Sequence, residues 1–505
     1  AKTDGHLVVR VVDDTRLVLT DVSTDAPRVT ARLPLPTGGY GSELLLAGDH
    51  VLVTLQYAGE QGPRRLRGPT PVDVAPDRTR LVDIDISDPS APKVLHQDLY
   101  SGGQVSVRRY GATVRLVTST GRPQLPFTHP GKHLTAREAT GRNRALVRAS
   151  TIEDWLPTVT TDGVRTRLVG CDQVLRPPTW AGSSTVAVTT FPADDPEQRS
   201  TVALTADGQV VYSSADRLYV TSTDRPVGGV RPLARDLRPP GGQLRTSVHA
   251  FALDGPRTTY VGSGHVYGIV RDRWSFDEHD GHLRVAWSKT GSRGNVNRNG
   301  ITVFSEAGGA LVGAGRISGL GHGDTLQSVR WFDDLAVLVT YRQVDPLVTV
   351  DLTDPTRPVA LGVLKVPGYS GYLHPLGNGL LLGAGVTAAT RTAEQGSQVA
   401  VFDIADLRKP VQVSRHAFGP DTGLSVLDDP RAFSWLPDSR TAVTAVVDWT
   451  TSRATLVALT VGAHGHLVVR TLARLNTEWQ PRTLALPEHR IAVLDHHRIR
   501  VLHLG

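Results

Sequence analysis

The sequence predicts an all-β chain: a single β-propeller of about eight four-stranded blades, within a range of roughly seven to nine, carrying one long, partly helical insertion. Three observations lead there. Short alternating runs of Val, Leu and Thr dominate, such as "HVLVTLQY", "TRLVDIDIS", "STVAVTTF", "LVTVDLT" and "RIAVLDHH", each bounded by Gly, Pro, Asp or Asn. That alternation is the period of a strand, and Gly, Pro, Asp and Asn are the residues that end one. One phrase recurs after an apolar strand and before another: "DISDPSAP" at Asp85, "DLTDPTRP" at Asp351 and "DIADLRKP" at Asp403, with a looser copy, "DVSTDAPRV", at Asp21. Its Asp can accept local backbone N–H groups, and its Pro sets φ at the turn exit.

The third observation is a tight turn between two strands: "TDGHL", "AGDHV", "YGATV", "SADRL", "HDGHL", "FDDLA", "LGNGL", "LPDSR" and "LPEHR". Most copies lie roughly 45 to 65 residues apart, the length of a propeller blade. A hairpin, a third strand, the Asp-Pro turn and an outer strand then make one unit. Counting turns leaves eight or nine units, depending on whether the chain ends share a blade. The two ends are expected to meet and close the ring, which removes an open sheet edge. One interval, between "YGATV" and "SADRL", runs to about 100 residues. It implies an insertion over 120–180 within the propeller of residues 1–505, with "HLTAREATGRNRALVRAS" as a short helix.

The chain has 505 residues, a formal charge of +6, 39% apolar content and only six lysines. Its arginines are scattered, whereas a nucleic-acid footprint needs a basic stripe or patch, so no nucleic-acid partner is expected. Apolar runs are far shorter than the ~18 residues a membrane span needs. No basic and then apolar leader opens the chain, and a processed product is expected. Methionine is absent and cysteine occurs once, at Cys171, which excludes an intramolecular disulfide. Among apolar and Pro neighbours, Cys171 is expected to be a buried small hydrophobe.

The most charged stretch is "SFDEHDGHLRV", Ser275 to Val285. Asp-Gly between two strand-like runs signals a two-residue turn with φ > 0 at both positions. The register then places His279 opposite His282, Glu278 opposite Leu283, and Asp277 opposite Arg284 as a cross-strand ion pair. A two-His metal site would lack an evident third ligand, so the stretch reads as a structural hairpin. "DHHR" at Asp495 puts its two histidines on opposite faces of a strand, where they cannot share an ion. No metal is assigned and no cofactor is identified.

Candidate site residues come from quieter loops: "YRQVDPL" between two strands of a blade, "PGYSGYLHP" between an outer strand and the next inner one, and "LDDPRAFSW", taken as a third connection of that type. All three would open on one face, around the central channel. They would gather Arg342, Asp345, Tyr369, Tyr372, His374, Asp428, Asp429 and Arg431, a convergent polar and aromatic set suited to binding. The expected function is a non-enzymatic binding or scaffold module for a protein or an envelope polymer. The alternative is a hydrolase or lyase at the rim or channel, with His374 as acid or base and Asp345 or Asp429 as its carboxylate. No nucleophile elbow, phosphate loop or zinc-protease motif supports a specific reaction.

Taken together, "LVDIDISDPSAPKV", "EDWLP", "CDQVLRPPTWAG", "VYSSADRLYV", "SVHAFAL", "FDEHDGHLRVA", "YRQVDPLVTVDLTDP" and "PGYSGYLHPLG" resemble a family of secreted or lipid-anchored bacterial and archaeal proteins. These carry a C-terminal β-propeller distantly related to WD repeats. The resemblance covers nearly the whole chain. It implies the propeller and a secreted or cell-surface location, and it supplies no reaction. A monomer is expected.

Overall fold

Each alternating run becomes a strand of an antiparallel sheet, and the sheets follow one another along the chain as nine blades. The computed structural model describes all residues except 59–76, 122, 124, 132, 224–243, 291–295, 322, 342–344, 367, 389–394, 476–480, 496–497 and 505. The first strand of each blade borders the central channel. In blades two, six and seven, for example, it spans Tyr40–Ala47, Thr325–Phe332 and Tyr369–Gly377. The second and third strands are buried on both faces, as in Leu380–Val386 and Gly396–Asp403 of blade seven. That explains why their sequences are nearly continuous apolar runs.

The blade count is one above the best sequence estimate and inside its range. Every one of the nine turns is the inner hairpin of its own blade, from the loop after Lys2–Thr3 to the loop after Arg482–Leu486. The chain ends share no strand among the described residues. They meet by packing: Val8 and Val22 of blade one cluster with Leu486, Ala492 and Leu494 of blade nine. Arg490 Nη1 donates to Val22 O at 3.1 Å, and Arg10 Nη1 donates to Asp495 O at 3.2 Å. An apolar cluster fills the gap between each adjacent pair of blades around the ring; Val337, Leu347, Leu373 and Phe402 fill the one between blades six and seven. The core is therefore a ring of interblade seams.

The Asp-Pro phrase forms the turn between the third and outer strands. Asp85, Asp351 and Asp403 each accept the backbone N–H two residues on, at 2.8 to 2.9 Å. On the opposite face, a polar residue early in the third strand ties down the chain entering the next blade. Thr79 Oγ1 donates to Gly102 O and Thr246 Oγ1 to Gly268 O, both at 2.7 Å.

The connection between the second and third strands of blade three holds helix α1, Ala136–Ala149. Thr135 and Glu138 form its capping box, with Thr135 N donating to Glu138 Oε2 at 2.8 Å. Replacing Thr135 with Ala is expected to cost about 1 kcal/mol of local helix stability, read as faster amide exchange in the first turn of α1. Beyond α1, the hairpin Thr158–Thr161 and Val164–Arg167 extends the outer edge of blade two, and Val174–Leu175 pairs in parallel with the outer strand of blade three. Cys171 is exposed, contrary to the buried position its neighbours suggest. It starts a one-turn helical segment, Cys171–Gln173, on this outer layer, and its apolar neighbour Val169 takes the buried place. None of the described helices is long and apolar enough to cross a membrane.

Candidate functional site: the central channel

The structure rearranges the expected loop site. Residues Tyr369–Gly377 are the inner strand of blade seven itself, so only the residues just before them connect blades. Tyr369 packs into the seam with blade six, while Tyr372 packs into the seam with blade eight. "LDDPRAFSW" is not a connection between strands of the expected kind. It interrupts the inner strand of blade eight between Thr422–Leu424 and Ser434–Leu436, and carries the helical turns Ser425–Asp428 and Pro430–Ala432. Both pieces still pair with the same second strand, Thr441–Asp448. The intervening residues loop into the channel, where Asp428, Asp429, Pro430 and Arg431 line a cavity of about 1050 Å³. Arg342 lies outside the described residues, as does the side chain of Asp345, whose backbone opens the third strand of blade six.

His374 faces blade eight and sits among rings, with centroids 4.9 Å from Phe433 and 5.3 Å from Trp435. Its Nδ1 is 3.5 Å from Tyr372 Oη. Burial and the nearby Arg330 charge push its pKa down to about 4. It forms no ion pair with a carboxylate among the described residues. Asp429 is held elsewhere: Arg431 Nε lies 2.9 Å from its Oδ1 and Arg482 Nη2 2.7 Å from its Oδ2. Burial alone would raise the Asp429 pKa, but the hydrogen bonds from Arg431 and the two guanidinium charges outweigh it and hold it below the usual carboxylate range. A His374–Asp429 acid/base pair is therefore not assembled.

What the channel does assemble is a set of cations and aromatics that sequence reasoning missed. Lys2, Glu43, Arg108, Arg273 and Arg482 join Asp428, Asp429 and Arg431 around the larger cavity. Two neighbouring spaces, of about 450 and 380 Å³, are bordered by Arg273, Trp274 and Arg330. Arg330 stacks on Trp274 at 4.6 Å and on Tyr372 at 5.3 Å, and its Nε donates to Leu373 O at 2.6 Å. Removal from water disfavours charge on Arg108, Arg330 and Arg482, and neighbouring guanidiniums add to that effect at Arg108 and Arg482. A signal for part of this was present. Arg108, Asp277 and Arg330 each stand two residues before the last paired residue of an inner strand, Tyr110, His279 and Phe332. Aligning the hairpin turns would have put them in one column.

The charged hairpin follows its sequence register. Asp277 pairs with Arg284, Glu278 with Leu283 and His279 with His282, and Asp280 and Gly281 have φ of 46° and 72°. Arg284 is 3% exposed and its Nε donates to Asp277 Oδ2 at 2.8 Å. This is the inner hairpin of blade five, with its turn at the opposite end of the strand from the interblade connections.

The chain is similar over limited stretches to uncharacterized archaeal proteins. It is 36% identical over 159 residues to one from Methanocaldococcus jannaschii, covering 31% of this chain and 24% of that protein. It is 35% identical over 173 residues to one from Archaeoglobus fulgidus, covering 34% and 25%. These matches thus span about a quarter of each relative. Among solved structures, a protein from Lactobacillus plantarum aligns over 63% of this chain and 91% of its own, with a TM-score of 0.36 and 15% identity. Hydrazine synthase from Kuenenia stuttgartiensis aligns over 66% and 95%, with a TM-score of 0.36 and 12% identity. The family model of the beta propeller domain matches residues 1–482, and with its nine sheets in sequence the chain belongs to that family.

Proposed function

We propose that this propeller is a binding module that takes an envelope polymer into its central channel, on the extracytoplasmic side of the cell. One observation carries the reading: side chains from several inner strands and from the blade-eight excursion converge on neighbouring spaces that share Arg273, while His374, the acid/base candidate, is a neutral imidazole set among rings. Convergent groups with no proton-transfer pair among the described residues suit recognition better than turnover. The sequence resemblance to secreted bacterial and archaeal proteins supports the location.

The test is co-sedimentation of the full chain with isolated wall polymer. Gln327 borders the 450 Å³ space and accepts from Arg271 Nη1 at 3.1 Å. Replacing it with Trp fills that space and is expected to weaken polymer binding by about tenfold or more. Two results would overturn the reading: capture of the polymer unaffected by Gln327→Trp, or turnover of an ester, lactone or glycoside that is lost in His374→Ala.

A further inference from the structure

Three guanidiniums converge on the space of about 380 Å³ between the inner strands of blades three to six: Arg108, Arg273 and Arg330. None of the three forms an ion pair with a carboxylate among the described residues. The carboxylate that lines this space, Asp277, is already neutralised by Arg284. The remaining walls include Tyr212, Trp274, Phe276 and Trp331. Arg108 and Arg330 are partly withdrawn from water while Arg273 stays exposed, so the first two carry a desolvation cost that an entering anion would offset.

The rings also hold the cations in place. Arg273 and Arg330 both lie against Trp274, at 4.9 and 4.6 Å from its centroid. Arg330 is fixed further by Tyr372 and by its hydrogen bond to Leu373 O. Arg108 is tied by Nη1 to Val107 O at 2.8 Å. Stacking occupies the planes of two guanidiniums and leaves N–H edges to receive a ligand, the geometry in which Arg binds oxyanions with least ordering cost.

We propose that this pocket binds a doubly charged oxyanion group, a phosphoryl group or a paired carboxylate, with Arg108, Arg273 and Arg330 as its ligands. The proposal rests on the reading of the channel as the binding site and names the chemistry it selects. Two negative charges match three cations that have no ion-pair partner among the described residues better than one does. Partial burial of Arg108 and Arg330 strengthens the attraction there, and dissolved salt weakens it.

The experiment titrates the full chain at low ionic strength with sodium phosphate, pyrophosphate, malonate, acetate and glucose, by calorimetry and by the fluorescence of the tryptophans lining the pocket. Phosphate, pyrophosphate or malonate should saturate, and the tighter of the phosphate and malonate arms identifies a phosphoryl or a dicarboxylate carrier. Acetate should bind at least about tenfold more weakly and glucose not at all. Arg273→Gln and Arg108→Gln should each weaken the dianion by about tenfold or more. Arg137→Gln, on exposed α1, should leave it unchanged, and unfolding midpoints confirm that the variants are folded. No saturable dianion binding, acetate binding as tightly as the dianions, or full affinity in both pocket variants would each overturn the proposal. If Gln327→Trp abolishes polymer capture while no dianion binds, the channel reading stands and this pocket assignment falls. Dianion binding without polymer capture separates them the other way.

Discussion

Replacing Asp98 with Ala is expected to lower the unfolding free energy by about 3–5 kcal/mol, the range for removing one member of a buried ion pair. Asp98 is 0% exposed on the outer strand of blade two. Arg199 Nη1 lies 2.6 Å from its Oδ2, reaching across from blade three, and His96 Nε2 lies 3.0 Å from the same oxygen. Thr161 of the inserted hairpin donates to its other oxygen. Loss of the carboxylate leaves the half-buried Arg199 charge without its partner and unfastens the hairpin from blade two. Denaturant unfolding measures the first effect, and protease cleavage within 158–167 the second. Arg199→Met in the Asp98→Ala background should recover part of the loss, because it removes the stranded charge. A single variant within about 1 kcal/mol of wild type would show that the cluster contributes little.

The second large effect is acid destabilisation driven by buried imidazoles. His249 is 0% exposed in blade four, with Nε2 2.9 Å from Ser222 Oγ and Nδ1 2.6 Å from Ser263 Oγ. Burial pushes its pKa down to about 4, as burial beside Arg330 does for His374. The unfolded chain then binds protons that the folded chain refuses between the ordinary histidine value and about 4. The stabilisation is therefore fully present above the unfolded value and is lost as pH falls through this window, at up to about 1.4 kcal/mol per pH unit for each such group. Asp83 and Glu278, whose pKa values burial raises, act with the opposite sign as they protonate. Comparison with His249→Gln isolates the histidine contribution. Unfolding free energies followed from pH 7 to 5 should fall less steeply in the variant. Equal slopes would refute the assignment.

Much of the fold was legible because it is written in short-range terms. The Asp-Pro turns close on backbone N–H groups two residues away, and the Asp280-Gly281 turn needs only two positive φ values. Once such a turn is located, the register of its strands follows, and Asp277 meets Arg284 as expected. The candidate site was legible only in part. Tyr372, Asp428, Asp429 and Arg431 do line the channel spaces, but His374 turns into an aromatic seam and Asp429 is consumed by two arginines. Nothing in the sequence around Leu427 to Trp435 marks an inner strand interrupted and resumed, because both pieces are defined by pairing with residues further along the chain.

The sequence by itself determined most of the strands, the nine hairpin turns and the repeated outer turn, since each depends on neighbours a few residues apart. The tertiary structure alone decided that each end of the chain has its own blade, that Asp98 and Arg199 share a buried pair, and that Arg108, Arg273 and Arg330 face one space. Those contacts join residues tens to hundreds of positions apart, and they form only when nine interblade seams close into a ring. The strand pattern specifies each seam locally. The width of the channel, and which side chains meet across it, belong to the closed ring.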